Sequence, residues 1–81
     1  MKTNELKKGA RVRLRNGWQA EMADSLRGNR RLATVYGHYT ETGSIYSHDI
    51  MEAKVGDSWV PIEHTEAQKA LRTAILKNFG G

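Results

Sequence analysis

The chain predicts a mainly β domain that ends in one α-helix. Three observations carry this. Apolar and polar residues alternate on both sides of two tight-turn signals, Asn16-Gly17 and Gly56-Asp57. After Thr65 the apolar period changes from that of a strand to that of a helix. The length of 81 residues, with 38% hydrophobic content, suits one small domain, and zero cysteines exclude a disulfide framework or a Cys-based zinc site.

The first hairpin spans Ala10 to Ala23. Val12 and Leu14 alternate with Arg11, Arg13 and Arg15. A two-residue loop would mix polar and apolar side chains on each face. A three-residue loop, Arg15-Asn16-Gly17, pairs Leu14 with Trp18, Val12 with Ala20 and Ala10 with Met22, all apolar. It leaves Arg13 opposite Gln19 and Arg11 opposite Glu21. Because a one-residue slip flips every side chain, this register is the expected one, with Trp18 in the core. Gly17 then adopts the left-handed conformation of a bulged turn.

Asp24–Asn29 reads as a loop, Arg30–Tyr36 as a third strand. Leu32, Thr34 and Tyr36 share one of its faces; Arg31, Ala33 and Val35 share the other. His38–Gly43 reads as a turn, Ser44–Tyr46 as a short strand and Ser47-His48-Asp49 as a tight bend with a local side-chain cap. The second hairpin covers Ile50–Ile62. Its Gly56-Asp57 loop pairs Val55 with Ser58, Ala53 with Val60 and Met51 with Ile62, and turns Lys54, Trp59, Glu52 and Pro61 outward. Pro61 marks an edge. Thr65 and Gln68 form a capping box. Ala67, Ala70, Leu71, Ala74 and Ile75 then recur at helical spacing as core cover, with Phe79 close to the stripe and Gly80 as a stop.

The expected organisation is one domain: an N-terminal arm over 1–8, a β-barrel over 9–63 and an amphipathic helix over 65–79. The economical arrangement is a small antiparallel SH3-like barrel of four to five strands, with the helix across one end or face. Closure removes the exposed edges of so short a chain. An open sheet covered by the helix is the alternative.

The formal net charge of +4 is unevenly placed. Residues 1–37 carry nine basic and three acidic groups, net +6; residues 38–81 carry four and six, net −2. The sharpest feature is the ladder Arg11, Arg13 and Arg15. Its members repeat about 6–7 Å apart along one strand face, near the spacing of phosphates along a nucleic-acid strand. Arg27, Arg30 and Arg31 extend the basic patch if the third strand lies alongside. Exposed Tyr39, Tyr46 and Trp59 would offer bases a stacking surface. The plainer reading is a solvated face in which Arg11 pairs with Glu21 and Trp59 packs on the helix.

Catalysis and metal binding have little to draw on. His38, His48 and His64 are far apart, Ser47-His48-Asp49 is too compact for a triad, and no metal-ligand or phosphate-loop spacing occurs. No cofactor is implied. No stretch approaches the roughly 18 apolar residues of a membrane span, and no signal-peptide run opens the chain, so the expectation is cytoplasmic.

Two stretches, LKKGARVRLRNGWQAEMAD at 6–24 and VYGHYTETGSIYSHDIMEAKVGDSWVPIEHTEAQ at 35–68, resemble a group of small proteins encoded by phages, prophages and plasmids. That resemblance implies an accessory protein of a mobile element in a bacterial host. It brings no activity and no functional residues. The first run is also similar to the opening hairpin of SH3-like and KOW-type modules, which implies protein or RNA binding at the loops. Two non-enzymatic functions follow as expectations. One is binding of nucleic acid or a nucleoprotein through the basic strand face. The other is binding of a host protein as an inhibitor or adaptor of anti-defence type. The oligomeric state is open.

Overall fold

The structure is a computed structural model, and it describes residues 1–78. Six antiparallel strands form one sheet: β1 (Arg11–Leu14), β2 (Gln19–Met22), β3 (Arg30–Tyr36), β4 (Thr40–Tyr46), β5 (Ile50–Val55) and β6 (Ser58–Pro61). One helix, α1 (Glu66–Asn78), follows. Short 3-10 turns occupy Thr3–Glu5 and Ser47–Asp49. The strand order is β4-β3-β2-β1-β5-β6.

Both hairpins take the registers that side-chain parity demands. Arg11 faces Glu21, Val12 faces Ala20 and Arg13 faces Gln19. The loop closes with Gly17 N–H donating to Leu14 O and Gly17 at φ 91°, a value that L side chains rarely tolerate. In the second hairpin Val55 faces Ser58, Lys54 faces Trp59, Ala53 faces Val60 and Glu52 faces Pro61. Gly56 has φ 61° and Asp57 does not share that sign, the pattern of a two-residue type II′ turn. A register shift at Arg13/Leu14 of the β1–β5 pair brings Ile50 opposite Leu14 and into the core.

The sheet is not closed into a barrel, and it has six strands rather than four or five. The N-terminal arm explains the gap. Met1 O accepts from Glu63 N–H just past the end of β6, and Thr3 and Leu6 are buried. The arm thus packs on the sheet where Arg31 and Glu63 hold it. Pro61 also lacks the N–H that a further partner of β6 would need at that position. The inner face is small and tight: Ala20, Ala33 and Ala53 sit beside Val12, Met22, Ile50 and Leu6.

Two expectations about apolar packing are corrected. Trp18 stands on the inner side, as parity requires, but is 39% exposed. It lies beyond the end of β1, flat against Gly37, where any Cβ would collide with the indole. The helix is not core cover. Its capping box is formed, with Gln68 N–H donating to Thr65 Oγ1 and Thr65 N–H to Gln68 Oε1. Only Gln68 is buried, however; Ala67, Ala70 and Ala74 are exposed, and Leu71 and Ile75 are half-buried. Three alanines offer too little area to anchor a helix. The Phe79 and Gly80 expectations lie outside the described residues.

Docking of α1 instead rests on a buried polar contact. Gln68 Nε2 donates to Thr3 Oγ1 at 3.0 Å, joining the helix to the arm. Gln68→Leu is expected to cost about 1–3 kcal/mol, because it leaves the Thr3 hydroxyl buried without its partner and opens the capping box. Loss of amide protection across residues 66–78 in hydrogen exchange, with the sheet amides unchanged, would be the readout.

Candidate binding face

The outer side of the sheet carries the polar members of each alternation. Arg11, Arg13, Glu21, Thr34, Tyr36, Glu52, Lys54 and Trp59 all fall there by register. Exposure at Gln19, Leu32, Tyr36, Lys54 and Pro61 leaves this face open to solvent.

Two guanidinium groups lie over aromatic rings on it. The Arg11 guanidinium is 4.9 Å from the Tyr36 ring centroid, and that of Arg13 is 4.2 Å from the Trp59 centroid. Arg13 also forms an ion pair with Glu52 at 3.0 Å. Each arrangement keeps the planar cation against a ring, and Arg13 gives one N–H to Glu52. The ladder explains why: residues opposite or diagonal across antiparallel strands are within reach of long side chains. Arg11 faces Glu21 in the ladder but turns to Tyr36, the ring diagonal to it across β2.

Arg15 leaves this face. Past the end of β1 its side chain bends to the 3-10 turn, where Nε donates to Asp49 Oδ1 at 3.3 Å and Nη2 to His48 O at 2.6 Å. It lines the rim of a cleft of about 430 Å3 between the first hairpin loop and the end of β4, with Leu14, Ile45 and Tyr46 as its apolar part. Arg30 sits over Tyr46 at 5.3 Å, and Tyr46 stacks on His48 with centroids 5.0 Å apart. Tyr39 is 80% exposed, at the β3–β4 turn, and Arg27 is exposed in the loop before β3.

Arg31 is a correction. It was expected on the basic surface, yet it is 1% exposed. Its Nε donates to Asp24 Oδ1 at 2.6 Å, Nη1 to Thr3 O at 2.6 Å, and Nη2 to Leu6 O at 2.8 Å and Asp24 O at 3.1 Å. All three guanidinium nitrogens are thereby engaged in stapling the arm to β3. Burial alone would raise the pKa of Asp24, but the Leu32 N–H and Arg31 override it and hold the carboxyl below its ordinary value. Arg31 shares its strand face with the apolar Ala33 and Val35, so parity already placed it inside.

The arrangement therefore splits the predicted residues. Arg11, Arg13 and Trp59 are together on the open face, joined by Tyr36. Arg15, Arg30 and Tyr46 gather around the cleft and the 3-10 turn. Arg27 and Tyr39 stand apart from both groups, and Arg31 belongs to the interior.

His48 is buried and carries an Nδ1 with no hydrogen-bond partner. Burial lowers its pKa; Asp49 opposes this, while Arg15, Arg72 and His64 reinforce it. The imidazole is therefore neutral in the fold at pH 7. Protonation favours the unfolded chain, so the stability tied to neutral His48 is present above the ordinary histidine pKa and falls as pH drops below it. Urea unfolding between pH 7 and pH 5 should show this loss, and His48→Phe, which keeps a ring against Tyr46, should flatten the profile.

Among the described residues no group of three or more His, Asp or Glu side chains is placed to hold a metal ion. Neither does any described helix have the length and apolarity to cross a membrane. Compared with protein-family models, with curated proteins and with solved structures, the chain matches none.

Proposed function

We propose that the protein is a non-enzymatic binding module that holds single-stranded nucleic acid across the outer face of β1, β2, β3, β5 and β6. The observation that carries this reading is the pair of stacked cations, Arg11 on Tyr36 and Arg13 on Trp59. Such pairs offer flat surfaces on which bases stack and N–H edges that meet phosphates. They lie on neighbouring outward positions of one strand, so a single chain of nucleotides can follow both. We read the sheet itself as an open relative of the SH3-like barrel: β2, β3 and β4 form a meander and β5 returns to β1. The likeness of the 6–24 and 35–68 segments to mobile-element proteins suits an accessory role of this kind.

From the sequence, Arg11, Arg13 and Arg15 are all expected to face the ligand. Two do so here, and Glu21 and Glu52 offset part of their charge. Binding is thus expected to be of modest affinity and driven by stacking as much as by charge. A fluorescence-anisotropy titration with labelled dT and mixed-sequence 12-mers tests it. Affinity should fall with salt at a slope of about −0.7 to −1.4, the value for one or two phosphates on a single strand. Equal binding to duplex and single strand, or none at low salt, would contradict the reading.

A further inference from the structure

We propose that β4 is a self-complementary edge through which two copies of this chain pair antiparallel about Gly43. The two edges of the sheet are unlike. β6 is four residues long and ends in Pro61. β4 is seven residues long, Thr-Glu-Thr-Gly-Ser-Ile-Tyr, with no proline, no lysine and no register irregularity against β3. Its residues Thr40–Ser44 are all exposed. Edges of that kind are templates for a further strand unless guarded.

The backbone of β4 fixes which groups are free. Ser47 N–H donates to Asn29 O, and Gly37 N–H to Tyr39 O, at either end of the β3–β4 ladder. Hydrogen-bonded pairs alternate along an antiparallel ladder, so residues 41, 43 and 45 spend their backbone groups on β3. Thr40, Thr42 and Ser44 therefore present N–H and C=O outward from the edge, and Tyr46 its N–H, since its C=O begins the 3-10 turn. A two-fold axis at Gly43 sets Thr42 against Ser44 of the second copy and Thr40 against its Tyr46. The free groups of Thr42 and Ser44 then meet one another on both sides of the axis, the Tyr46 N–H meets Thr40 O, and all seven residues take part. An axis at Glu41 would set the two carboxylates face to face; axes at Thr42 or Ser44 shorten the ladder. The central pair is the close, non-hydrogen-bonded kind, with Cα atoms about 4.5 Å apart. Glycine on both sides leaves nothing to collide there.

Charge favours the same register. Glu41 forms no ion pair among the described residues. In the two-fold pairing it lies opposite Ile45 of the second copy and on the same side of the sheet. Ile45 lines the cleft whose rim carries Arg15. Arg15 Nη1 makes no hydrogen bond among the described residues; Nε serves Asp49 and Nη2 serves His48 O. Each copy thus brings a second carboxylate, besides the cleft's own Asp49, toward the other's Arg15 Nη1, twice per dimer.

Sedimentation equilibrium on the nuclease-treated full chain, from about 1 μM to about 1 mM, tests the proposal. The expected result is a mass that rises with concentration to twice 9.1 kDa. Thr42→Pro removes an N–H that points away from β3, so the monomer keeps its ladder while the dimer loses its central bond; dissociation should strengthen at least about tenfold. Glu41→Lys, on a fully exposed side chain, should weaken the dimer comparably even if the proline variant does not fold. A monomer throughout the range, or a dimer indifferent to Glu41→Lys, would overturn the proposal.

Discussion

Arg31→Met is expected to lower stability by about 3–5 kcal/mol, read as a shift of the urea midpoint at constant slope. The substitution keeps most of the buried volume and removes only the charge and its donors. Four acceptors then lose this donor: the Asp24 carboxylate, Thr3 O, Leu6 O and Asp24 O. Asp24 is the costly one, since its side chain is only 9% exposed and it would remain a charge without a counterion. A domain of this size has on the order of 5–15 kcal/mol in total, so the loss is a large share of the whole. The neighbouring Arg30→Met provides the comparison. Arg30 faces solvent over Tyr46, and its loss should fall within about 0.5 kcal/mol. The same pair gives acid sensitivity. The carboxyl pKa of Asp24 is lowered in the fold, so its contribution is present above the ordinary carboxylate pKa and lost as pH falls through the folded value. Equal stability of the two Met variants would show that Arg31 is not the staple described above.

The second large effect concerns the proposed ligand. Trp59→Ala should weaken single-strand binding by roughly 5- to 150-fold, the equivalent of about 1–3 kcal/mol for one stacked base. Arg11→Ala should act differently: it removes one phosphate contact, lowering the salt slope by about one while weakening all sequences alike. Glu52→Gln has the opposite sign. Its carboxylate holds Arg13 at 3.0 Å, and neutralising it releases that cation to a phosphate. Affinity should therefore rise several-fold at low salt, with the gain fading as salt is added. An ordinary structural ion pair on an idle face would give no such gain.

Much of the β framework was legible because two constraints agreed at each hairpin. Turn chemistry at Asn16-Gly17 and Gly56-Asp57 limited the loop length, and parity then left one register that sorted apolar from polar. β4 was shortened in the sequence reading because Thr40–Gly43 has no apolar alternation; that half is held by backbone pairing to β3, which leaves no mark on side-chain type. Arg31 was misplaced by its charge, although its position between Arg30 and Leu32 put it on the face of Ala33 and Val35. Only knowledge that Asp24 and two arm carbonyls converge there resolves the conflict. Trp18 had the right face and the wrong depth, since parity says nothing about where a sheet ends. The helix shows the converse: its cap was written in Thr65 and Gln68, but how little of it packs depends on an alanine stripe and on Thr3, more than sixty residues away. As for the candidate site, the arginine ladder was visible as a row of charges. Which aromatic ring each guanidinium would lie on was not, because that depends on diagonal neighbours contributed by β3 and β6.

The proposed binding face is tested most directly by following amide, indole and guanidinium NMR signals while a dT 12-mer is added. The largest changes should fall on the Trp59 indole N–H, the Nε–H of Arg11 and Arg13, and the backbone of Tyr36 and Lys54, with the Arg31 Nε–H unmoved inside its staple. Changes confined to the Lys7–Lys8 and Arg27 segments, with Trp59 silent, would place the ligand elsewhere and contradict it.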